Sequence, residues 1–179
     1  MKQEEFDHAI RAAGSILGEP EVLVIGSQAI HGSLLDSLPE EALRSVEVDI
    51  AGFDDPDGAK ADLIDASIGE ASMFHATFGF YVQGVSQTMA VLPDGWRERL
   101  VRYESPATSG VVAWCLELHD LWVSKAVAAR PKDLEFCRAF VAQRLVDPDV
   151  LRERLDETDD ISDAIHKAAA ALIGRSANS

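Results

Sequence analysis

Two acids two residues apart, Glu47 and Asp49, lie in the run Ser45-Val-Glu-Val-Asp-Ile50, where Val46, Val48 and Ile50 alternate with Ser45, Glu47 and Asp49. Such alternation marks a half-buried strand, and it puts both carboxylates on one polar face with their backbones about 7 Å apart. Carboxylates placed this way can converge on a hard divalent cation. Mg²⁺ in particular favours one or two protein carboxylates plus substrate phosphate oxygens. Upstream, the apolar run Glu21-Val-Leu-Val-Ile25 leads directly into Gly26-Ser27, ahead of a short helix expected over Gln28–Leu34. A glycine and a serine at a strand end and helix start offer backbone N–H groups, a hydroxyl and a positive dipole end, which suit a triphosphate. Together the two features imply metal-assisted nucleotidyl transfer, in which metal ions polarise the α-phosphorus and activate an attacking hydroxyl.

The elements that must position these groups can be read from periodicity. Phe6, Ile10, Ala13 and Leu17 recur at helical spacing over residues 2–17, and Gly18-Glu-Pro20 ends the pattern. Glu21–Ile25 reads as a buried strand and Ser45–Ile50 as a half-buried one, with a loop through Pro39 to Arg44 between them. Asp54-Asp-Pro-Asp-Gly58 is a turn that caps a helix over roughly 58–67. Gly79–Val85 and Gln87–Leu92 read as two paired strands, and Leu100–Tyr103 and Gly110–Cys115 as further strands. From Glu117 the period changes to helical. Helices are expected over 117–129, from Pro131, from Asp147-Pro-Asp and over Ser162–Ile173, with a frayed tail after Gly174.

Composition sets the bounds. A chain of 179 residues with 47% hydrophobic content is one compact domain, or one domain with a small helical appendage. No apolar run approaches the ~18 residues of a membrane span, and the acidic start has no secretory h-region. Cys115 and Cys137 make no disulfide framework and have no zinc-ligand spacing, so a reducing cytoplasm is the expected location. The net charge of −15 argues against strong DNA binding, since broad nucleic-acid binding needs a basic surface. The charge is uneven. Residues 44–70 hold eight acids against Arg44 and Lys60, and residues 147–160 hold seven against Arg152 and Arg154. Seven of the sixteen basic side chains fall in residues 96–138. An anionic substrate is therefore expected to meet Arg97, Arg99, Arg102, Arg130 and Lys132. His31, His75 and His119 lack ligand spacing, and Trp96, Trp114 and Trp122 read as packing residues. Gly-Ser-Gln lacks the GxSxG elbow of a serine hydrolase.

Gly26-Ser27 followed by Glu47-Val-Asp49 resembles the Gly-Ser…[Asp/Glu]-x-Asp signature of the polymerase-β-type nucleotidyltransferase superfamily. The later run Leu118-His-Asp-Leu-Trp-Val-Ser-Lys125…Arg130-Pro-Lys-Asp133 resembles motifs of its AbiEii-like branch, the abortive-infection toxins. With Gly79-Phe-Tyr-Val-Gln-Gly-Val85 and Leu92-Pro-Asp-Gly-Trp96, the likeness spans residues ~20–155. It implies that Gly26 and Ser27 hold nucleotide phosphates, that Glu47 and Asp49 bind Mg²⁺ or Mn²⁺, and that Lys125 contacts the triphosphate. It further implies that Lys132 and Asp133 position the nucleotide and support the site. The sequence departs from the pattern twice. Glu47 stands where Asp is commoner, and Gln87–Val91, the stretch searched for a third carboxylate, holds none; Asp94 is the nearest alternative acid.

The expected fold is α/β (α+β), a nucleotidyltransferase-fold mixed sheet flanked by helices. Residues 1–115 would form the core, residues 116–174 a helical C-terminal portion packed on it, and residues 175–179 a tail. The expected reaction moves a nucleoside monophosphate from an NTP to an acceptor hydroxyl. The resemblance implies that the acceptor is a tRNA 3′ end and that the protein is a toxin paired with an antitoxin. Two other readings stand beside it: an enzyme modifying a protein hydroxyl, and a catalytically impaired module that binds a nucleotide or a partner.

Overall fold

The computed structural model describes residues 1–33 and 45–176; Leu34, the loop expected through Pro39 to Arg44, and the last three residues of the expected tail lie outside the described residues. The described chain divides into two compact units, Met1–Met89 with Leu100–Leu116, and Ala90–Arg99 with Glu117–Ser179.

The first unit holds strands β1 (Glu21–Val24), β2 (Glu47–Ala51), β3 (Tyr81–Gly84), β4 (Val101–Tyr103) and β5 (Val112–Cys115), with helices α1 (Gln3–Leu17), α2 (Ala59–Ile68) and α3 (Met73–Phe78). The five strands form one mixed sheet in the order β3-β2-β1-β5-β4. β1 is central, which explains its unbroken apolar run: Val22, Leu23 and Val24 are all fully buried. It pairs antiparallel with β2 through Leu23↔Ala51 and Val24↔Ile50, and parallel with β5 from Glu21↔Val112 to Val24↔Cys115. β2 and β3 run parallel, in register from Glu47↔Tyr81 to Ile50↔Gly84. Parallel neighbours need a crossover, and residues 52–80 supply it through α2 and α3. Asp55 caps α2 by accepting the Lys60 and Ala61 N–H groups at 2.9 and 3.0 Å. The helix is clamped to the sheet where Asp65 Oδ1 accepts the Gly84 N–H at 2.7 Å.

Three expectations need correction. Gln87–Leu92 is not a strand: Gln87–Met89 is a 3₁₀ turn, and Met89 and Val91 are 67% and 41% exposed. Its alternating residues join no strand of the sheet, and β3, at the sheet edge, pairs with β2 alone. Val46 is 49% exposed rather than part of the buried face, since the ladder begins only at Glu47↔Tyr81. The helix expected from Gln28 is a 3₁₀ turn over Ser27–Gly32.

The second unit is helical: α4 (Leu118–Ala128), α5 (Pro131–Ala142), α6 (Pro148–Asp156) and α7 (Asp163–Ser176). Glu117 caps α4 by accepting the His119 and Asp120 N–H groups, Pro131 opens α5, and Asp147 caps α6. The core gathers Leu121, Trp122, Phe140, Leu151, Leu155 and Ile173. Fully buried Trp122 keeps its indole satisfied by donating to the Cys137 carbonyl at 3.0 Å. Ala90–Arg99 is tied to these helices by the Asp94 N–H, which donates to the Glu157 carbonyl at 2.9 Å. Arg99 also clamps Asp120, donating from Nε at 2.8 Å and from an Nη at 3.0 Å. Among the described residues, no helix is long and apolar enough to cross a membrane.

Candidate active site

β1 delivers the glycine-serine pair, and β2 delivers the acids. Beyond β1 the antiparallel ladder continues for one step, with the Ile25 N–H donating to the Asp49 carbonyl at 3.2 Å. Gly26 follows with φ −82° and ψ −165°, an extended conformation open to any residue. What requires glycine there is space: a Cβ added at Gly26 would overlap the Asp49 carboxylate. The Asp49 side chain thus lies over the Gly26 backbone, and the two sequence motifs are in direct contact. On β2, Val48 and Ile50 are buried, while Glu47 and Asp49 sit half-buried on the opposite face. The alternation read from the sequence therefore holds from Glu47 onward.

Ser27 opens the 3₁₀ turn and is half-buried. This turn of six residues is no α-helix, so phosphate attraction here cannot draw on an α-helical macrodipole. What remains is local: backbone N–H groups and the Ser27 hydroxyl. That hydroxyl has an anchored neighbour. Gln28, fully buried, points its Nε2 at Ser27 Oγ (3.4 Å) and its Oε1 at His31 Nε2 (3.2 Å). The His31 ring stacks on Phe6, with centroids 4.4 Å apart and planes 12° from parallel. Burial is the main cause that pushes His31 down, to about 4, so the ring is neutral near pH 7. Behind Phe6, the Tyr103 hydroxyl donates to Asp7 at 2.6 Å.

The residues that sequence reasoning missed are on β3. The parallel register sets Tyr81 beside Glu47 and Gln83 beside Asp49, on the same face of the sheet. Burial, then the negative charge of Glu47 and Glu70, and then a hydrogen bond to Glu47 push the Tyr81 phenol up to about 12. The signal was present in Phe80-Tyr-Val-Gln83, where Phe80 and Val82 are buried and Tyr81 and Gln83 are half-buried. β3 is the strand in register with the acids and offers a phenol and an amide there, whereas Gln87–Val91, where a third acid was expected, lies beyond β3. Gln87 lies on the following turn and donates to the Gly52 carbonyl at 2.9 Å. Asp94 is exposed and belongs to the second unit. Among the described residues, no group of three His, Cys, Asp or Glu side chains could hold a metal ion. Two carboxylates on one strand face still fit Mg²⁺ or Mn²⁺ chemically, because such ions take hard oxygen donors and complete their shell from phosphate and water.

The remaining site candidates lie in the second unit. Lys125, on α4, donates to Asp133 Oδ1 at 3.1 Å, and its ammonium lies 5.0 Å from the centre of the Phe136 ring. Arg130 holds the other oxygen of Asp133, whose side chain is 1% exposed. Burial pushes the Asp133 carboxyl up, but the Arg130 hydrogen bond and the Lys125 charge outweigh it and hold it below its ordinary value. Asp133 therefore orients Lys125, while neighbouring Lys132 is exposed on the first turn of α5. Of the cations expected to meet an anion, Arg99 is committed to buried Asp120, Arg102 pairs with Glu104, and Arg97 lies over the Trp96 ring.

The Gly26 backbone thus touches a strand carboxylate next to the Ser27 hydroxyl. The family match runs over residues 4–173, nearly the whole chain. The chain belongs to the DUF6036 family. That family is described as a nucleotidyltransferase of unknown function, in keeping with the mixed sheet, its flanking helices and the helical C-terminal region. No curated protein and no solved structure matches the chain.

Proposed function

We propose that this chain transfers a nucleoside monophosphate from an NTP to an acceptor hydroxyl and releases pyrophosphate. The observation that carries the reading is the contact between the Asp49 carboxylate and the Gly26 backbone. It sets the groups suited to phosphate binding directly against the group suited to metal binding. Glu47 and Asp49 would hold Mg²⁺ or Mn²⁺, which when bound supplies charge neutralisation at the phosphates and activation of the attacking hydroxyl. Gly26 leaves its backbone open to close approach, and Ser27 donates a hydrogen bond to a phosphate oxygen. The Tyr81 phenol bonds Glu47 and fixes its orientation.

The AbiEii-like motifs around Lys125 and Arg130–Asp133 support a tRNA 3′ end as the acceptor and a toxin role with a cognate antitoxin. On a surface of net charge −15, RNA would be met by exposed Arg130 and Lys132. Arg99 is dropped from that group because it is largely buried against Asp120, whereas Arg130 stays exposed while it bonds Asp133. Transfer from each labelled NTP, tested against total RNA and cell lysate with and without Mg²⁺, examines the reading. Label should appear on RNA with wild type and vanish with Asp49→Asn; equal labelling by both proteins refutes the assignment. Label on protein instead would move the acceptor to a side-chain hydroxyl. One observation favours a second reading, a nucleotide-binding module without turnover: Gln83, not an acid, is in register with Asp49. Calorimetry showing tight Mg²⁺-dependent NTP binding, with no transfer to any acceptor, would select it.

A further inference from the structure

Ser27 is half-buried, but the two polar side chains that follow it in its own turn, Gln28 and His31, are 0% and 2% exposed. Burying an amide and an imidazole beside a proposed phosphate-binding hydroxyl carries a desolvation cost that apolar residues would avoid. His31 Nε2 faces Gln28 Oε1 at 3.2 Å, and the ring is also held by a hydrogen bond to the Met1 backbone. With Oε1 turned to His31, the amide turns its NH₂ to Ser27 Oγ. The serine oxygen then accepts from Gln28, and its own proton is left for an outside acceptor. Stacking on Phe6 locks the imidazole against which the amide rests.

We infer that Gln28, oriented by His31, is a positioning residue that presets the Ser27 hydroxyl as a hydrogen-bond donor to a phosphate oxygen of the bound NTP. The inference rests on the nucleotide reading above. At 3.4 Å the Gln28–Ser27 contact is at the long end of the hydrogen-bonding range, as is common for site contacts that tighten only with substrate in place. Without the amide, Ser27 Oγ is free to rotate and to donate to neighbouring backbone carbonyls, and the phosphate loses a prepaid partner. The loss of one such bond corresponds to about a tenfold weaker affinity.

A double-mutant cycle tests this, reading the Kd of each NTP with Mg²⁺ by calorimetry, with thermal melting as the check on folding. Ser27→Ala and Gln28→Met should each weaken binding about tenfold, and the double variant should bind like Ser27→Ala alone, within about twofold. A merely structural Gln28 would move the melting temperature and leave its binding penalty intact in the Ser27→Ala background. That additive result, or unchanged affinity in Gln28→Met, overturns the inference. Should Gln28→Met fail to fold, Gln28→Glu keeps the side-chain shape. Its ionised carboxylate would draw the serine proton inward and weaken NTP binding at least as much, whereas wild-type affinity in that variant overturns the inference. Absence of NTP binding by wild-type protein defeats the nucleotide reading and this inference together. Binding by wild type with an additive cycle defeats this inference alone.

Discussion

Gly26→Ala isolates the contact on which the functional reading rests. Its φ and ψ of −82° and −165° suit alanine, so the substitution carries no backbone strain. The whole effect must come from the new methyl group. Built on this backbone, it would lie 2.5 Å from Asp49 Cγ and 2.8 Å from Asp49 Cβ, where ordinary contact begins at 3.4 Å. The carboxylate oxygen overlaps more closely still, so Asp49 must move by about 1 Å or more, or change rotamer with a small backbone shift to clear its Cβ, and overpacking of this kind costs about 1–3 kcal/mol. A displacement of that size at a reacting centre lowers rate about 100-fold, so Mg²⁺-dependent transfer should fall far more than stability does. Chemical denaturation and labelled-NTP transfer measure the two effects. Repeating Gly26→Ala in an Asp49→Ala background removes the carboxylate overlap and leaves only the Cβ contact, so the stability cost should shrink by about half or more. Transfer near the wild-type rate in Gly26→Ala, or an undiminished cost in the Asp49→Ala background, would refute the reasoning.

Asp120→Asn should lower unfolding free energy by about 1–2 kcal/mol in a denaturant titration, because Arg99 and Arg154 would face a neutral group, while the burial that pushes the Asp120 carboxyl above its ordinary value offsets part of what its charge contributes. The Asp133 carboxyl is held below its usual value of 3.8 in the folded chain, so its contribution to stability is present above that pH and is lost as pH falls through the lower folded value. Asp133→Asn should accordingly lower stability at pH 7 and flatten the acid side of a stability-against-pH curve; an unchanged acid side would contradict the pairing with Arg130 and Lys125. Burial pushes the Cys115 and Cys137 thiols up to about 12, so a thiol reagent at pH 8 should label neither until the protein is unfolded.

The site was legible where one strand carried its own pattern. Gly26-Ser27 ended an apolar run, and Glu47 and Asp49 alternated with Val48 and Ile50, so local periodicity alone placed them. Contacts between strands were not legible. The overlap of a Gly26 Cβ with Asp49 depends on the antiparallel register of β1 and β2, which leaves no trace in either segment. Tyr81 and Gln83 escaped for the same reason, since parallel pairing across a crossover of nearly thirty residues sets their partners. The strand misread at Gln87–Leu92 shows the opposite failure, an alternating pattern that pairs with no strand of the sheet. The helices from Glu117 onward were readable because helical hydrogen bonds and caps are local in sequence.

The decapeptide Ala90–Arg99 gives this chain an uncommon inheritance constraint. It belongs with the C-terminal helices, yet it is encoded ahead of β4 and β5, so the polypeptide enters the second unit, leaves it and enters it again. No single cut separates the units. A fragment beginning at Glu117 would have Asp120 without Arg99, and a fragment ending at Leu116 would carry the decapeptide with nothing to bind. On a ribosome, Arg99 emerges before its acid, so this anchor of the helical unit is made before the helices are. For the same reason the helices cannot be exchanged between relatives as a terminal cassette. A graft that swaps Glu117–Ser179 must bring its own version of residues 90–99, two separated insertions that succeed only together.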